Sequence, residues 1–341
     1  MEKTDIAVAL YDDAACGLSP VMPYIGAGFD GKHFTRLTKL YLAAALLRCG
    51  FDVVDCNPRS VAVDAQELAV FVNRRAVDAC VVISYAAFGS RRSFNDVHGF
   101  TVRMPIGRLS ARSRVFCEDI CAKLQMHMCG DVGNDGVFGA IGCATAVVEA
   151  GYLTYFDEAK LVYDPDFARA VAESVALGVC EHFDRPYVRM DDASCYPLLG
   201  AARRGKKVML LQCLLNAGGS DLAIDGVFDA ATDRAVKEFC IRQNKPTDRG
   251  VTADIWRELL LTERRALRFG VADNGVLYLQ RKLISKLYLA PLSGVFDERT
   301  HSAINEFCAA SGLSPISKEN PIYPELYDAI ASVGGGRPRL I

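Results

Sequence analysis

Histidine is scarce in this sequence, with residues 33, 98, 127, 182 and 301 the only five among 341. Few side chains are therefore on offer for metal binding or for acid–base work near neutral pH. There is no Gly-x-Ser-x-Gly elbow, and no histidine is spaced to serve a particular cysteine, which excludes serine-hydrolase and cysteine-protease arrangements. No stretch approaches the roughly 20 consecutive apolar residues of a membrane span. The start, Met1-Glu-Lys-Thr-Asp5, lacks the basic flank and apolar core of a signal peptide, so the expectation is synthesis in the cytoplasm without an export signal. An excess of basic charge is missing too: 39 Lys and Arg face 41 Asp and Glu, net −2. Phosphate contacts demand such an excess, so a dedicated nucleic-acid binder is excluded.

Thirteen cysteines run from Cys16 to Cys308 without a Cys-x-x-Cys pair. Several lie inside apolar runs, as Cys80 does in Asp78-Ala-Cys-Val-Val-Ile83, which predicts small buried hydrophobes in a reducing compartment. The tightest group, Cys117, Cys121, His127 and Cys129, departs from the pairwise ligand spacing of structural zinc sites.

With 51% hydrophobic and 23% charged residues, the chain has the composition of an ordinary globular protein, long enough for two or three cores. Strand-length apolar runs at 5–11, 51–54, 79–84, 99–104 and 144–149 alternate with helix-period segments at 36–49, 64–76, 112–128 and 164–183. This alternation predicts an α/β domain over 1–183 with a mostly parallel sheet flanked by helices. The Gly-rich run Gly130-Asp-Val-Gly-Asn-Asp-Gly136 lacks the ending of a nucleotide loop and reads as a mobile loop.

From 184 to 207 periodicity gives way to turn formers and the basic run Arg203-Arg-Gly-Lys-Lys207, the composition of a linker. The chain then repeats itself. Leu211-Gln212 returns as Leu279-Gln280, Gly226-Val-Phe-Asp229 as Gly294-Val-Phe-Asp297, and Glu238-Phe-Cys240 as Glu306-Phe-Cys308, each separated by the same 68 positions (211 to 279, 226 to 294, 240 to 308). A shared offset over so many positions marks two copies of one unit, at 208–262 and 270–335. Each reads as a small all-α module of three helices, with Ala235, Val236 and Phe239, or Ala303, Ile304 and Phe307, on one helix face.

The repeated string closely resembles the peptidoglycan-binding-like module of bacterial cell-wall hydrolases. That resemblance implies a wall-polymer contact around Gln212, Asp225, Gly226 and Phe228, and Gln280, Gly294 and Phe296 in the second copy, where Ser293 replaces Asp225. Such modules commonly follow a lytic domain. Ala146-Val-Val-Glu-Ala-Gly-Tyr-Leu-Thr154 with Asp164-Pro165 and the helix after it resembles the closing strand and helix of the zinc-dependent N-acetylmuramoyl-L-alanine amidases. Asn73 with Ala76 to Ser84 is similar to their middle strand.

The resemblance implies Glu149 as the catalytic carboxylate. It also implies zinc ligands that this chain lacks. The Gly-His-Gly-Gly turn after the first strand is replaced by Leu10-Tyr-Asp-Asp-Ala-Ala-Cys-Gly17, the helix-opening Glu by Gly31-Lys-His33, and the histidine ending the middle strand by Tyr85, a phenol and a poor ligand at neutral pH. Asp12 or Asp13, His33 and Glu149 are left for a rearranged metal site, with His98 in reserve. A catalytic zinc needs about three protein ligands and an open position for water. The expectation is thus a peptidoglycan-binding, amidase-like pseudoenzyme without a cofactor, set against an active zinc amidase released by lysis and against a scaffold that binds a protein partner.

Two further patterns bear on function. Gly26-Ala-Gly28-Phe-Asp-Gly31 copies a dinucleotide fingerprint, but it does not follow the first strand immediately, as a pyrophosphate turn must. Arg91, Arg92, Arg103, Arg108, Arg112 and Arg114 face a single acid, Asp96, between Gly89 and Arg114. Such a basic patch suits carboxylates of stem peptides, teichoic phosphate or an acidic partner surface.

Overall fold

The computed structural model describes residues 5–13, 31–89, 94–107, 109–126, 128–260 and 267–332. The first part of the chain runs β1 (Ala7–Asp12), α1 (Gly31–Arg48), β2 (Asp52–Asp55), α2 (Ala65–Arg75), β3 (Ala79–Ala86), β4 (Phe100–Pro105), α3 (Ser110–Leu124), β5 (Gly130–Asp135), β6 (Ala144–Tyr152), α4 (Phe156–Ala159) and α5 (Pro165–His182). The sheet order is β2-β1-β3-β6-β4-β5. Strands β2, β1, β3 and β6 are parallel, β4 runs antiparallel to β6, and β5 is parallel to β4. The fold is α/β with a mostly parallel sheet, as the alternating pattern predicts.

Strand alternation divides the core in two. Val8, Leu10, Val81, Ile83 and Val148 point to the face carrying α1, α3 and α5. Ala9, Tyr11, Cys80, Val82 and Val147 point to the other face, under Leu68 and Val72 of α2 and under Phe138 and Ile141. Helix ends follow local chemistry. Asp64 caps α2 by accepting from the Gln66 and Glu67 amides, and Asp164 caps α5 ahead of Pro165. Helices α3 and α5 meet at Gly178, where a Cβ would lie 2.6 Å from the Ile120 Cα. Gly178→Ala is therefore expected to force the helices apart at about 1–3 kcal/mol, read as a lower urea midpoint with an unchanged m value.

The run 130–136, read from sequence as a mobile loop, contains a strand instead. Glycine normally weakens a strand, but here it permits close approach. A Cβ on Gly130 would meet the Phe100 carbonyl oxygen at 2.2 Å, and one on Gly133 the Thr101 methyl at 2.9 Å.

The C-terminal region is helical: α6 (Lys206–Ala217), α7 (Ala230–Arg242) and α8 (Ala253–Leu260), then α9 (Asn274–Ser285), α10 (Glu298–Ser311) and α11 (Pro324–Ala331). Helix α6 lies against α1, and Val208, Leu211, Phe239 and Trp256 join the core of the α/β part. Helices α9 to α11 enclose a separate core around Leu283, Phe296, Ile304 and Leu326. The stretch read as a linker is pinned down. Tyr187 Oη donates to Glu173, the Val188 carbonyl accepts from Arg48 Nε at 2.8 Å, and the Pro197 carbonyl accepts from Trp256 Nε1 at 2.8 Å. Turn-forming composition recorded the absence of regular elements there, and said nothing about packing.

Candidate functional site

At the C-terminal ends of β1, β3 and β6 a cleft of about 500 Å³ opens between α2 and the 136–143 turn. Ser84 and Glu149 are opposite one another in the β3–β6 register and both line this cleft, together with Arg103, Asp135 and Tyr152. Antiparallel pairing sets Arg103 of β4 across from Val147, on the same face as Glu149. Its Nε donates to Glu149 Oε2 at 2.6 Å. The Glu149 side chain is only 16% exposed. Burial pushes its carboxyl above the ordinary range, and the hydrogen bond and charge of Arg103 pull in the opposite direction.

Asp135 is occupied by the Val137 and Phe138 amides, and Asp64 at the far wall by the α2 cap. Phe88 and Val137, both largely exposed, form an apolar lip. The cleft thus offers a carboxylate held by a guanidinium, a hydroxyl at Ser84 and an apolar edge. That set can recognise a polar ligand with a small apolar group.

Arg103→Met removes the partner of Glu149 and raises the carboxyl's pKa further. A carboxyl whose pKa is raised on folding binds more protons folded than unfolded, so its contribution to stability falls as pH rises through that window. The variant's deficit against the native chain is expected to be near zero at pH 4 and about 1 kcal/mol at pH 7, the guanidinium being a third exposed. Urea unfolding at the two pH values measures it.

Of the other candidate ligands, Asp12, His33 and His98 lie elsewhere, while Asp13 and Tyr85 border this cleft. Asp12, at the end of β1, is fully buried, and Lys39 Nζ of α1 sits 2.7 Å from its Oδ1. His33 stacks on Tyr163 at 4.9 Å and lines a different depression, with Arg36 and Arg281. Burial and those two guanidiniums push its pKa down to about 3. Tyr85 points into the core, its ring edge-on to Phe34 and its Oη donating to the Glu158 carbonyl at 2.8 Å. His98 is exposed, with its ring against Tyr155; Asp13 lines the Glu149 cleft. Among the described residues no group of three His, Cys, Asp or Glu is placed to hold a metal ion. The donor set at Glu149, a carboxylate bound to a guanidinium, does not fit a catalytic zinc.

Cys117 and Cys121 are buried, and Cys117 Sγ donates to the Thr145 carbonyl at 3.6 Å. Burial pushes the Cys117 thiol up to about 12, a poor thiolate source. His127 lies outside the described residues, as do Arg91, Arg92 and Arg108. Arg112 and Arg114 are exposed on α3, which covers the face opposite to Arg103. Among the described residues, therefore, Arg103 forms no patch with the α3 arginines. Linear spacing could not show that a strand and the next helix turn these side chains to different faces.

The repeated residues build matching turns. Gln212 Oε1 accepts from the Asp225 and Gly226 amides, and its Nε2 donates to Asp225 Oδ1, the Val227 carbonyl and Thr232 Oγ1. Gln280 does the same with Ser293, Gly294, Val295 and Thr300. The Ser293 hydroxyl takes over the place of the Asp225 carboxylate, so the exchange preserves the turn. Gly226 and Gly294 have φ of 70° and 67°, the left-handed conformation that glycine adopts without strain. Phe228 and Phe296 are buried. These residues, expected from the resemblance at a wall contact, also close the turn over the helices.

Sequence reasoning missed three contributors to the cleft: Ser84, Tyr152 and the pairing of Arg103 with Glu149. Strand alternation carries the signal for Ser84, since Tyr85 and Ser84 must face opposite sides.

No family model matches the sequence, and no curated protein is significantly similar to it. Solved structures do align with about half of the chain. The catalytic domain of an N-acetylmuramoyl-L-alanine amidase from Bacillus (Paenibacillus) polymyxa var. colistinus aligns at 18% identity over 53% of this chain and 100% of that one, with a TM-score of 0.45. The N-acetylmuramyl-L-alanine amidase of Mycobacterium smegmatis aligns at 17% identity over 52% and 97%, TM-score 0.44. That of Nostoc punctiforme aligns at 20% identity over 53% and 98%, TM-score 0.44. Over about half its length, then, this chain's structural neighbours are N-acetylmuramoyl-L-alanine amidases.

Proposed function

We propose that the chain is a peptidoglycan-binding protein of amidase type that recognises muramoyl-peptide material without zinc-dependent hydrolysis. The observation that carries this reading is the 2.6 Å pair between Arg103 and Glu149 in an open cleft at the strand ends. A general base for amide hydrolysis must reach an activated water, and here the carboxylate is engaged by a guanidinium. The guanidinium and the Ser84 hydroxyl instead suit peptide carboxylates and amides. The sequence resemblance to amidases and to wall-binding modules supplies the class of ligand. In this reading the chain is made in the cytoplasm and meets the wall on lysis.

The test is co-sedimentation of the purified chain with isolated sacculi, with zinc supplied, weakly held metal dialysed away and released peptide assayed. The expected result is binding without stoichiometric zinc and without cleavage. Zinc retained at one per chain, with cleavage abolished in Glu149→Gln, would establish the active amidase instead. No sedimentation with sacculi would overturn wall binding and favour a protein scaffold.

A further inference from the structure

A second depression, about 440 Å³ in volume, lies where three parts of the chain meet. His33 and Arg36 come from α1, Arg59 from the segment after β2, Asp221 from the loop after α6, and Arg281 from α9. Its size falls within the range of small-molecule sites. Arg281 is 8% exposed, and its Nη2 donates to the Ala217 carbonyl at 3.1 Å. Among the described residues its Nε has no hydrogen-bond partner, and neither has the buried His33 Nε2. Buried polar atoms of this kind are normally satisfied, and each one left unmet is costly.

Charge in the depression is unbalanced as well. Arg36 and Arg59 both pair with the one carboxylate, Asp221, at 3.4 and 3.1 Å. That leaves three guanidiniums against a single acid among the described lining residues. Asp221 is itself more than half exposed, so its side chain is free to turn toward water.

We propose that this junction binds a phosphate monoester, its phosphate group seated between Arg281, His33, Arg36 and Arg59 in place of the Asp221 carboxylate. The planar Asp221 carboxylate divides its two oxygens between Arg36 and Arg59, whereas a tetrahedral dianion presents oxygens to donors converging from several elements. The surplus of positive charge matches a dianion, and the volume leaves room for the ester's organic body. Because the walls belong to the α/β part and to both helical sets, the ligand would hold the three together. Ligand binding to the folded state alone raises its stability by mass action.

Calorimetric titration of the full chain with inorganic phosphate, glycerol phosphate and acetate, alongside melting temperatures, tests the proposal. Saturable binding of one phosphate-bearing ligand per chain is expected, with a melting temperature that climbs with its concentration. Tighter binding of glycerol phosphate identifies an ester as the source, and tighter binding of inorganic phosphate identifies the free ion. Arg59→Gln, at an exposed side chain, is expected to weaken binding about tenfold, and Arg281→Met by more. Asp221→Asn removes the internal competitor and is expected to tighten binding severalfold, a gain that a purely structural role for these residues does not produce. Absence of saturable binding, acetate binding as tightly as phosphate, or equal affinity in Arg59→Gln and Asp221→Asn would each overturn it.

Discussion

Replacing Lys282 with alanine is expected to destabilise the folded chain by about 3–5 kcal/mol. Its Nζ lies 2.9 Å from both Asp164 oxygens and 2.9 Å from Asp166 Oδ2. Lys282 is wholly buried and Asp164 is 1% exposed, so removal of the ammonium strands a carboxylate that water cannot reach. Asp164 also accepts from the Asp166 and Phe167 amides at the start of α5, and it cannot turn away without uncapping that helix. Exposed pairs behave differently: Arg189 and Asp191 are solvated, and removing either is expected to leave the urea midpoint unchanged, because water takes over the contacts of the remaining partner. Since Lys282 belongs to α9 and Asp164 to the α/β part, the loss also loosens the docking of the last three helices. Urea unfolding gives the magnitude, and the rate of limited proteolysis of the full chain gives the docking. The double variant Lys282→Met with Asp164→Asn is expected to recover much of the loss, because no buried charge is then left alone. A single-variant cost below about 1 kcal/mol would mean that the pair is solvated.

Much of this architecture is legible in the sequence. Alternating apolar runs give β1, β3 and β6 with their helices, and Asp164-Pro165 marks the start of α5 because Pro fits the first helical turn. Gln212 and Gln280, paired in the sequence by the 68-residue offset, make matching hydrogen bonds to the amides of Gly226 and Gly294. What periodicity cannot carry is charge burial. Lys282 sits in a helix whose residues on every side are covered, and no helical stripe foretells a neighbour more than a hundred residues away in sequence. The cleft was legible in part. Glu149 is placed by its strand, but Arg103 reads as one member of a basic run until antiparallel pairing puts it beside Glu149. His33 and Asp12 stand close to expected ligand positions in the sequence. Asp12 pairs instead with Lys39 of α1 and His33 stacks on Tyr163, neither of which a local pattern connects to it.

Lys39 carries the second large effect, and it decides what Asp12 can do. The ammonium lies 2.7 Å from Asp12 Oδ1 and 2.9 Å from Asp55 Oδ1, and it donates to the Asn57 carbonyl and Oδ1 at 3.0 Å each. Asp12 is fully buried, and among the described residues its carboxylate accepts no other hydrogen bond, so Lys39 is its compensation there. Lys39→Met is expected to cost about 3–5 kcal/mol at pH 7. Urea unfolding at pH 7 reads this directly, and Asp12→Asn added to Lys39→Met is expected to recover much of the loss, because the fully buried charge is then gone. A loss undiminished in the double variant would show that Asp12 is not the stranded group. The lysine thus does in this fold what a bound cation would do for a buried carboxylate, and it does so on the α1 face, away from the side of the sheet where Glu149 meets Arg103.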